Sequence, residues 1–199
     1  MSNIVITGSK SNIAAEFIKL VPEKDSIEKI KIKDLSPAYY YSNLFLFCNG
    51  LLRSKPSSKQ TEEEIHTSLY VNYSSIAFNV AKIIDCNPYA RICIIGSESV
   101  YKGSFDDTYV FAKKLLHNFI VNYPLNTKNQ QLVGISPGII ADTGMTTRRK
   151  DTNNLLKRKT SHPMKRFVTS REVAKLCYTL LYEQPYINRT IIRMHGGEI

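Results

Sequence analysis

Residues 3–17, NIVITGSKSNIAAEF, join a short apolar run to an amphipathic segment through a turn that contains Gly8. The run 3–6 predicts a buried strand, and the pattern after the turn predicts a helix over about 12–20. A glycine turn that enters a helix favours a bound diphosphate, because free backbone N–H groups and the helix dipole attract anions. Taken alone, the segment fits an ordinary strand-to-helix turn equally well.

The same alternation of apolar runs and amphipathic segments continues along the 199 residues. Strands that alternate with helices imply crossover connections and a parallel sheet covered on both faces. We therefore expect one α/β domain, residues 1–199, with its ligand site beyond the carboxyl ends of the strands. The further predicted strands are 29–34, 43–50, 91–97, 131–138 and 189–197, and the further predicted helices are 62–85, 109–123 and 172–183.

Composition predicts a globular, cytoplasmic protein. Hydrophobic residues make up 43% of the chain, and no apolar run approaches the roughly 18 residues of a membrane span. The N-terminus lacks the basic start and long apolar core of a signal peptide. Cys48, Cys86, Cys93 and Cys177 form no CxxC pair and have no nearby zinc pattern, so we expect free thiols and no metal site.

The charge of the chain is concentrated in one segment. Residues 148–166 hold eight basic residues against one acid, Asp151, and so supply +7 of the net +10. The segment is interpreted either as a solvated, mobile loop or as a site for an anion. Nucleic-acid binding is not expected, because Phe167 is the only aromatic residue available there for stacking.

Residues 104–116, SFDDTYVFAKKLL, place Tyr109 and Lys113 four residues apart on a predicted helix. Roughly one such pair is expected by chance in a chain with 12 Tyr and 18 Lys, so only its surroundings can give it meaning. Residues four apart on a helix lie one above the other. An ammonium ~5 Å from a tyrosine lowers the pKa of the hydroxyl by about two units at an effective dielectric of ~20. Tyr109 is therefore a candidate general acid and base.

The chain resembles the short-chain dehydrogenase/reductase family over nearly its whole length. The family's motifs occur in order as TGSKSNIA (7–14), FCNG (47–50), VNY (71–73), Ser97 ahead of Tyr109-x-x-x-Lys113, and SPGII (136–140), and the tail 165–197 matches the family's last helix and strand. Each motif is short, but the ordered set is specific. The resemblance implies a Rossmann-like doubly wound parallel sheet and an NAD(P)-dependent oxidoreductase that transfers a hydride between nicotinamide and a carbonyl or hydroxyl group.

The resemblance also implies a role for individual residues. Tyr109 is then the acid and base, Lys113 binds the nicotinamide ribose, Ser97 holds the substrate oxygen, and Asn72 supports a water in the proton relay. The implied cofactor-binding residues are Thr7, Gly8, Ser11, Asn12, Ile13, Asp34, Asn49, Gly50, Tyr109, Lys113, Pro137, Gly138, Ile140 and Thr143. The substrate candidates are Ser99, which with Ser104 is also a rival for the role of Ser97, and Arg148 and Arg149.

This chain departs from the family pattern in two places. Asn12 and Ala14 replace the second and third glycines of the first loop. The chain has room for only one strand between the first helix and FCNG, so we expect six strands, with an edge strand of the family lost and Asp34 placed at the adenosine ribose. In a competing alignment, Asp34 matches an acidic residue near the adenine. Asp34 would repel the 2′-phosphate of NADP, whereas Lys10, Lys31 and Lys33 would attract it. Between these opposing effects, the sequence slightly favours NAD.

The remaining expectations concern partners. The resemblance places the substrate lobe at about 144–168, where Arg148, Arg149 and Arg166 suit an anionic substrate such as a nucleotide sugar, a coenzyme A thioester or an acyl carrier protein. It also implies a homodimer or homotetramer through the helices 62–85 and 109–123. The alternative function is an inactive dinucleotide-binding sensor. The altered glycine loop favours the sensor, and the retained Asn72, Ser97, Tyr109 and Lys113 favour the enzyme.

Overall fold

The computed structural model describes residues 1–198 and places six strands in one parallel sheet. The strands are β1 (Asn3–Thr7), β2 (Ser26–Ile30), β3 (Leu44–Phe47), β4 (Arg91–Ile95), β5 (Gln131–Pro137) and β6 (Thr190–Met194). Their order in the sheet is β2-β1-β3-β4-β5-β6. The predicted six-stranded, Rossmann-like sheet is confirmed.

Helices connect the strands and cover the sheet. They are α1 (Asn12–Ile18), α2 (Glu62–Leu69), α3 (Ser75–Cys86), α4 (Ser99–Lys102), α5 (Asp107–Asn122), α6 (Gly144–Thr147), α7 (Thr152–Ser161) and α8 (Ser170–Tyr178). A wider π turn, Tyr70–Ser74, joins α2 to α3, and a second, Thr179–Glu183, extends α8. None of the helices within residues 1–198 is long and apolar enough to cross a bilayer.

Each face of the sheet has its own core, because alternate side chains of a strand point to opposite faces. Ile4 and Ile6 of β1 pack with Phe17 of α1 and Val173 of α8. Between them, Val5 points to the other face, into the core formed with α3 and α5. Helices on both faces leave the carboxyl ends of the strands as the open edge where ligands bind in such sheets.

The second strand lies beside the first, as expected, but its predicted bounds are wrong. β2 spans Ser26–Ile30 rather than 29–34, and its register pairs Ser26 with Asn3. The alternation of KIKIKD runs past the strand because Ile32 is buried in a 3-10 turn, Ile32–Asp34. In the usual doubly wound order, two strands lie beyond the first one on this side, and here only β2 does.

Candidate active site

The carboxyl ends of β3 and β4 face the first turns of α5, and Asp106 fixes that meeting point. Asp106 is fully buried and caps α5 by accepting a hydrogen bond from the Tyr109 N–H at 3.0 Å. Its other oxygen accepts from the Arg53 N–H at 2.6 Å. One carboxylate therefore holds both the helix that carries Tyr109 and the loop that follows β3.

Tyr109 and Ser97 form the centre of the site. Tyr109 is 7% exposed. The Ser97 hydroxyl forms a hydrogen bond with the Ser99 hydroxyl at 2.9 Å. Burial raises the pKa of Tyr109, a hydrogen bond with Ser97 lowers it, and the charge of Asp106 raises it again. The predicted lowering of this pKa is wrong for the chain by itself, because burial has the largest effect and only the Ser97 hydrogen bond opposes it.

The surroundings of Lys113 explain why its charge does not lower the pKa of Tyr109. Its ammonium nitrogen lies 5.9 Å from the centre of the Tyr109 ring, as the helical spacing predicted. It donates to the carbonyl of Ile95 at 2.8 Å and to that of Asn49 at 3.2 Å. The side chain is buried, and this desolvation lowers the pKa of Lys113 to about 7. At neutral pH the amine is therefore only partly protonated.

This buried lysine makes stability depend on pH. The pKa of Lys113 is about 7 in the fold and about 10.4 for a lysine in an unfolded chain. Between these values the unfolded chain holds more protons, so stability rises with pH by up to about 1.4 kcal/mol per unit. In urea unfolding at pH 7.5 and 9.5, we expect the wild type to gain about 2 kcal/mol relative to Lys113→Met.

A neighbouring lysine provides the control for this measurement. Lys114 follows Lys113 but is exposed on the outer face of α5. Lys114→Met should keep the same pH dependence as the wild type. Equal pH dependence in the wild type and in Lys113→Met would show that Lys113 keeps an ordinary pKa.

Asn72 positions the loop after β3 from the other side. It lies in the π turn between α2 and α3 and is fully buried. Its amide accepts from the Leu51 N–H and donates to the Leu51 carbonyl, each at 2.9 Å. Lys113 and Asn72 thus hold the loop at Asn49 and at Leu51, two residues apart.

The first loop has the backbone geometry of a phosphate cradle. Gly8 has a φ of 68°, and a Cβ there would lie 2.6 Å from the backbone of Cys48. Ser11 caps α1 by accepting from the Ala14 N–H at 3.2 Å, which leaves the N–H groups of Asn12 and Ile13 without an intrahelical partner. The fully buried Thr7 donates to the side chain of Asn49 and joins the ends of β1 and β3. These residues fit a dinucleotide.

Two contacts cross the cleft in front of this loop. Asn12, which replaces the second glycine, donates to the backbone carbonyl of Asp142 in the loop after β5. The side chain of Asp142 in turn accepts from the N–H of Ser170, at the start of α8, at 2.8 Å. Met145 of α6 lies against Gly50, where a Cβ would be 3.0 Å from its methyl group. A dinucleotide between these segments has to lie beneath both contacts or displace them.

The other predicted cofactor residues differ in whether their side chain or only their backbone is available to a ligand. The side chain of Ile13 is buried in the core, so only its backbone is available. Pro137 ends β5 and accepts from the Glu98 N–H at 3.0 Å, which ties the SPGII loop to the residue after Ser97. Ile140 forms a bridge with Val168.

Thr143, Gly138 and Asp34 complete that set. Thr143 directly precedes α6 and donates to the Ile140 carbonyl at 3.4 Å. Gly138 donates to the Met194 carbonyl at 3.0 Å, next to the end of β6. Asp34 is exposed at the end of the 3-10 turn, four residues beyond β2, rather than at the strand end where it was expected.

The basic segment 148–166 is more ordered than a mobile loop, since it contains α7. Arg149 is paired with Asp151 at 2.8 Å, and Arg166 with Glu172 at 2.7 Å. The guanidinium of Arg166 lowers the pKa of Glu172 to about 2. The side chain of Arg148 is exposed, and its Nε donates to the Gly144 carbonyl at 2.9 Å.

Three residues of the site were not predicted from the sequence. They are Asp106, described above, Glu98 and His117. Glu98 is buried and forms a two-pronged ion pair with Arg193 of β6, with contacts of 2.6 to 3.2 Å. His117 contacts the Ser97 backbone. A sequence signal existed for His117 alone, because it continues the four-residue spacing of Tyr109 and Lys113.

Over the described part of the chain, no group of three or more His, Cys, Asp or Glu is arranged to hold a metal ion.

Comparison with known proteins gives structural matches only. None of the protein-family models and none of the curated proteins matches this sequence. Among solved structures, a short-chain dehydrogenase/reductase from Brucella melitensis described as a glucose/ribitol dehydrogenase is 18% identical, with a TM-score of 0.82, over 98% of this chain and 96% of that one. A short chain dehydrogenase family protein from Francisella tularensis is 18% identical, with a TM-score of 0.83, over 99% of this chain and 98% of that one. The chain thus has the fold of these proteins, as the sequence resemblance predicted.

Proposed function

We propose that this protein is an NAD(P)-dependent oxidoreductase of the short-chain dehydrogenase/reductase type, which interconverts a carbonyl and a hydroxyl group of its substrate. One observation carries the proposal. Tyr109, near the Ser97 hydroxyl, lies one helical turn from Lys113 at the open end of the sheet. A buried tyrosine beside a buried lysine is an arrangement suited to proton transfer and costly to keep without a use.

In the direction of reduction, Tyr109 donates its proton to the carbonyl oxygen of the substrate, and the Ser97 hydroxyl donates a hydrogen bond to the same oxygen. The raised pKa of Tyr109 suits this role, since it keeps the hydroxyl protonated at neutral pH. Protonated Lys113, whose nitrogen lies 5.9 Å from the centre of the Tyr109 ring, then stabilises the tyrosinate. Asn72 keeps the loop after β3 in place and, by the family resemblance, supports the water that returns the proton.

The nicotinamide cofactor supplies the hydride when it is bound. The Gly8 turn and the first turn of α1 would hold its diphosphate, and Asn49 with Gly50 would contact the adenosine. Pro137, Gly138 and the backbone of Ile140 would hold the nicotinamide. Lys113 holds the adjacent ribose in this proposal.

The choice between NAD and NADP depended on Asp34. A carboxylate at the end of the second strand binds the ribose of NAD, but β2 ends at Ile30 and Lys31 follows it directly. The structure therefore removes the geometric basis for preferring NAD. Both cofactors belong in the first experiment.

An anionic substrate, such as a nucleotide sugar or an acyl thioester, is the finer part of the proposal. Fewer basic residues are free to bind such a substrate, because Arg149 is paired with Asp151 and Arg166 with Glu172. Arg148 is exposed, with no acidic partner among residues 1–198. Ser99 lies against Ser97 and is the substrate candidate closest to the reacting groups.

Thermal unfolding with the oxidised and reduced forms of NAD and NADP tests the proposal directly. A ligand at 100 times its dissociation constant stabilises the fold by about 2.7 kcal/mol, which corresponds to roughly 5–10 °C for a chain of this size. We expect a shift of this size with at least one of the four compounds at millimolar concentration. Adenosine alone, which lacks the diphosphate and the nicotinamide, provides the control.

A sensor that binds the dinucleotide without turning it over is the second candidate, and the Asn12 contact favours it, since it narrows the cofactor cleft. If none of the dinucleotides stabilises the protein, both candidates are excluded.

We also propose a cytoplasmic homo-oligomer formed through α3 and α5, where Phe78 and Phe111 are 62% and 56% exposed. The four cysteines are free, and three of them are buried, which fits a reducing compartment.

A further inference from the structure

His117 lies on α5 four residues after Lys113, and so on the helix face that carries Tyr109 and Lys113. Its imidazole is buried, and Nε2 accepts a hydrogen bond from the Ser97 N–H at 3.3 Å. Successive turns of α5 therefore face the end of β4. Tyr109 lies near the Ser97 side chain, Lys113 donates to the carbonyl of Ile95, and His117 accepts from the amide of Ser97.

The end of β4 is built around this imidazole. A Cβ on Gly96 would lie 2.2 Å from Nε2 of His117, so the histidine occupies the space that a side chain at residue 96 would need. The neighbouring strand, β5, binds the amides on either side of Ser97, those of Gly96 at 2.7 Å and of Glu98 at 3.0 Å. The Ser97 amide points to the other side, where His117 provides its partner.

The protonation state of His117 suits an acceptor. Burial and the nearby charge of Lys113 lower the pKa of His117 to about 4, so the ring is neutral under physiological conditions. Since Nε2 accepts, the ring proton is on Nδ1. Nδ1 is buried and has no hydrogen-bond partner among the described residues. The bond to Ser97 is therefore the polar contact that orients the ring.

We propose that His117 is a positioning residue, which holds the backbone amide of Ser97 through Nε2 and so keeps the Ser97 hydroxyl beside that of Tyr109. Its consequence for turnover rests on the proposed oxidoreductase function. The contact itself does not, because it exists in the protein without cofactor or substrate.

Nuclear magnetic resonance of the full chain tests the contact with two variants. His117→Gln places an acceptor close to the position of Nε2, whereas His117→Leu removes it. We expect the Ser97 amide to exchange its proton about tenfold faster in His117→Leu, the equivalent of one lost hydrogen bond, and at nearly the wild-type rate in His117→Gln. The nitrogen shifts of the wild-type ring should show the proton on Nδ1.

His66→Leu provides the matched control, because the His66 side chain is 71% exposed on α2. It should leave the Ser97 amide unchanged. Equal Ser97 exchange in the wild type and in His117→Leu, or a wild-type ring protonated on Nε2, would overturn the proposal. The ring measurement uses the wild type, so it decides the matter even if His117→Leu does not fold.

Turnover provides the second measurement, with carbonyl compounds and the cofactor that stabilises the protein. We expect kcat to fall about tenfold in His117→Leu and to recover in His117→Gln, with the affinity for cofactor unchanged. An unchanged kcat in His117→Leu would overturn the positioning role. A wild type without turnover on any substrate would contradict the proposed function instead, and the amide and ring measurements would still decide the contact.

Discussion

Replacing Tyr109 with phenylalanine is expected to lower kcat by roughly 10² to 10⁴-fold, the usual contribution of a general acid, while cofactor binding stays unchanged. The variant removes one hydroxyl and keeps the ring that packs at the start of α5. The Tyr109 N–H still donates to the Asp106 carboxylate, because the backbone and not the tyrosine side chain makes that bond. Steady-state oxidation of the reduced cofactor with a panel of carbonyl compounds measures kcat, and thermal unfolding with cofactor measures binding.

Tyr89→Phe provides the control for this prediction. Tyr89 is 64% exposed and lies in the turn before β4, at the opposite end of that strand from Ser97. It should retain wild-type turnover. If the wild type binds a dinucleotide but turns over none of the panel, and Tyr109→Phe binds it equally well, the sensor is the better description of the protein. Equal turnover in Tyr109→Phe and the wild type would remove Tyr109 from the mechanism.

The residues that meet at the candidate site could be predicted because the buried parallel strands are continuous apolar runs. The observed strands LFLF and RICII are the apolar parts of the predicted strands 43–50 and 91–97, and Asn49 and Ser97, at the carboxyl ends of those predictions, lie just beyond β3 and β4. Helical spacing then placed Tyr109 and Lys113 on one face. The edge strand β2 has a weaker pattern, because its residues are half-buried or exposed, and its predicted bounds were therefore wrong by three residues at its start.

Long-range contacts could not be predicted from one sequence. Asn12 and Asp142 are 130 residues apart, and Glu98 and Arg193 are 95 apart, so no local spacing relates them. The pKa of Tyr109 was predicted in the wrong direction for a related reason. A charge at helical spacing can be recognised in the sequence, but the desolvation that raises this pKa depends on every element packed around the hydroxyl.

Replacing Gly8 with alanine is expected to destabilise the fold by about 2–5 kcal/mol. A left-handed conformation costs a residue with a side chain roughly 1–2 kcal/mol, and Gly8 has a φ of 68°. The new methyl group would also lie 2.6 Å from the carbonyl group of Cys48, which is backbone and cannot rotate away. Overpacking of this kind adds about 1–3 kcal/mol. Urea unfolding measures the sum.

Gly103→Ala separates the two costs within the same chain. Gly103 has a φ of 78°, close to that of Gly8, but a Cβ there would meet nothing within 4 Å. With φ 78° and ψ 174°, its backbone lies in a region that costs a residue with a side chain about 1–3 kcal/mol, and the loss in Gly8→Ala beyond the loss in Gly103→Ala is attributed to the clash with Cys48. Equal losses would mean that β1 and β3 move apart easily at this point. The cradle would then be adaptable rather than rigid, and Asn12 in place of a second glycine would be no obstacle to a diphosphate.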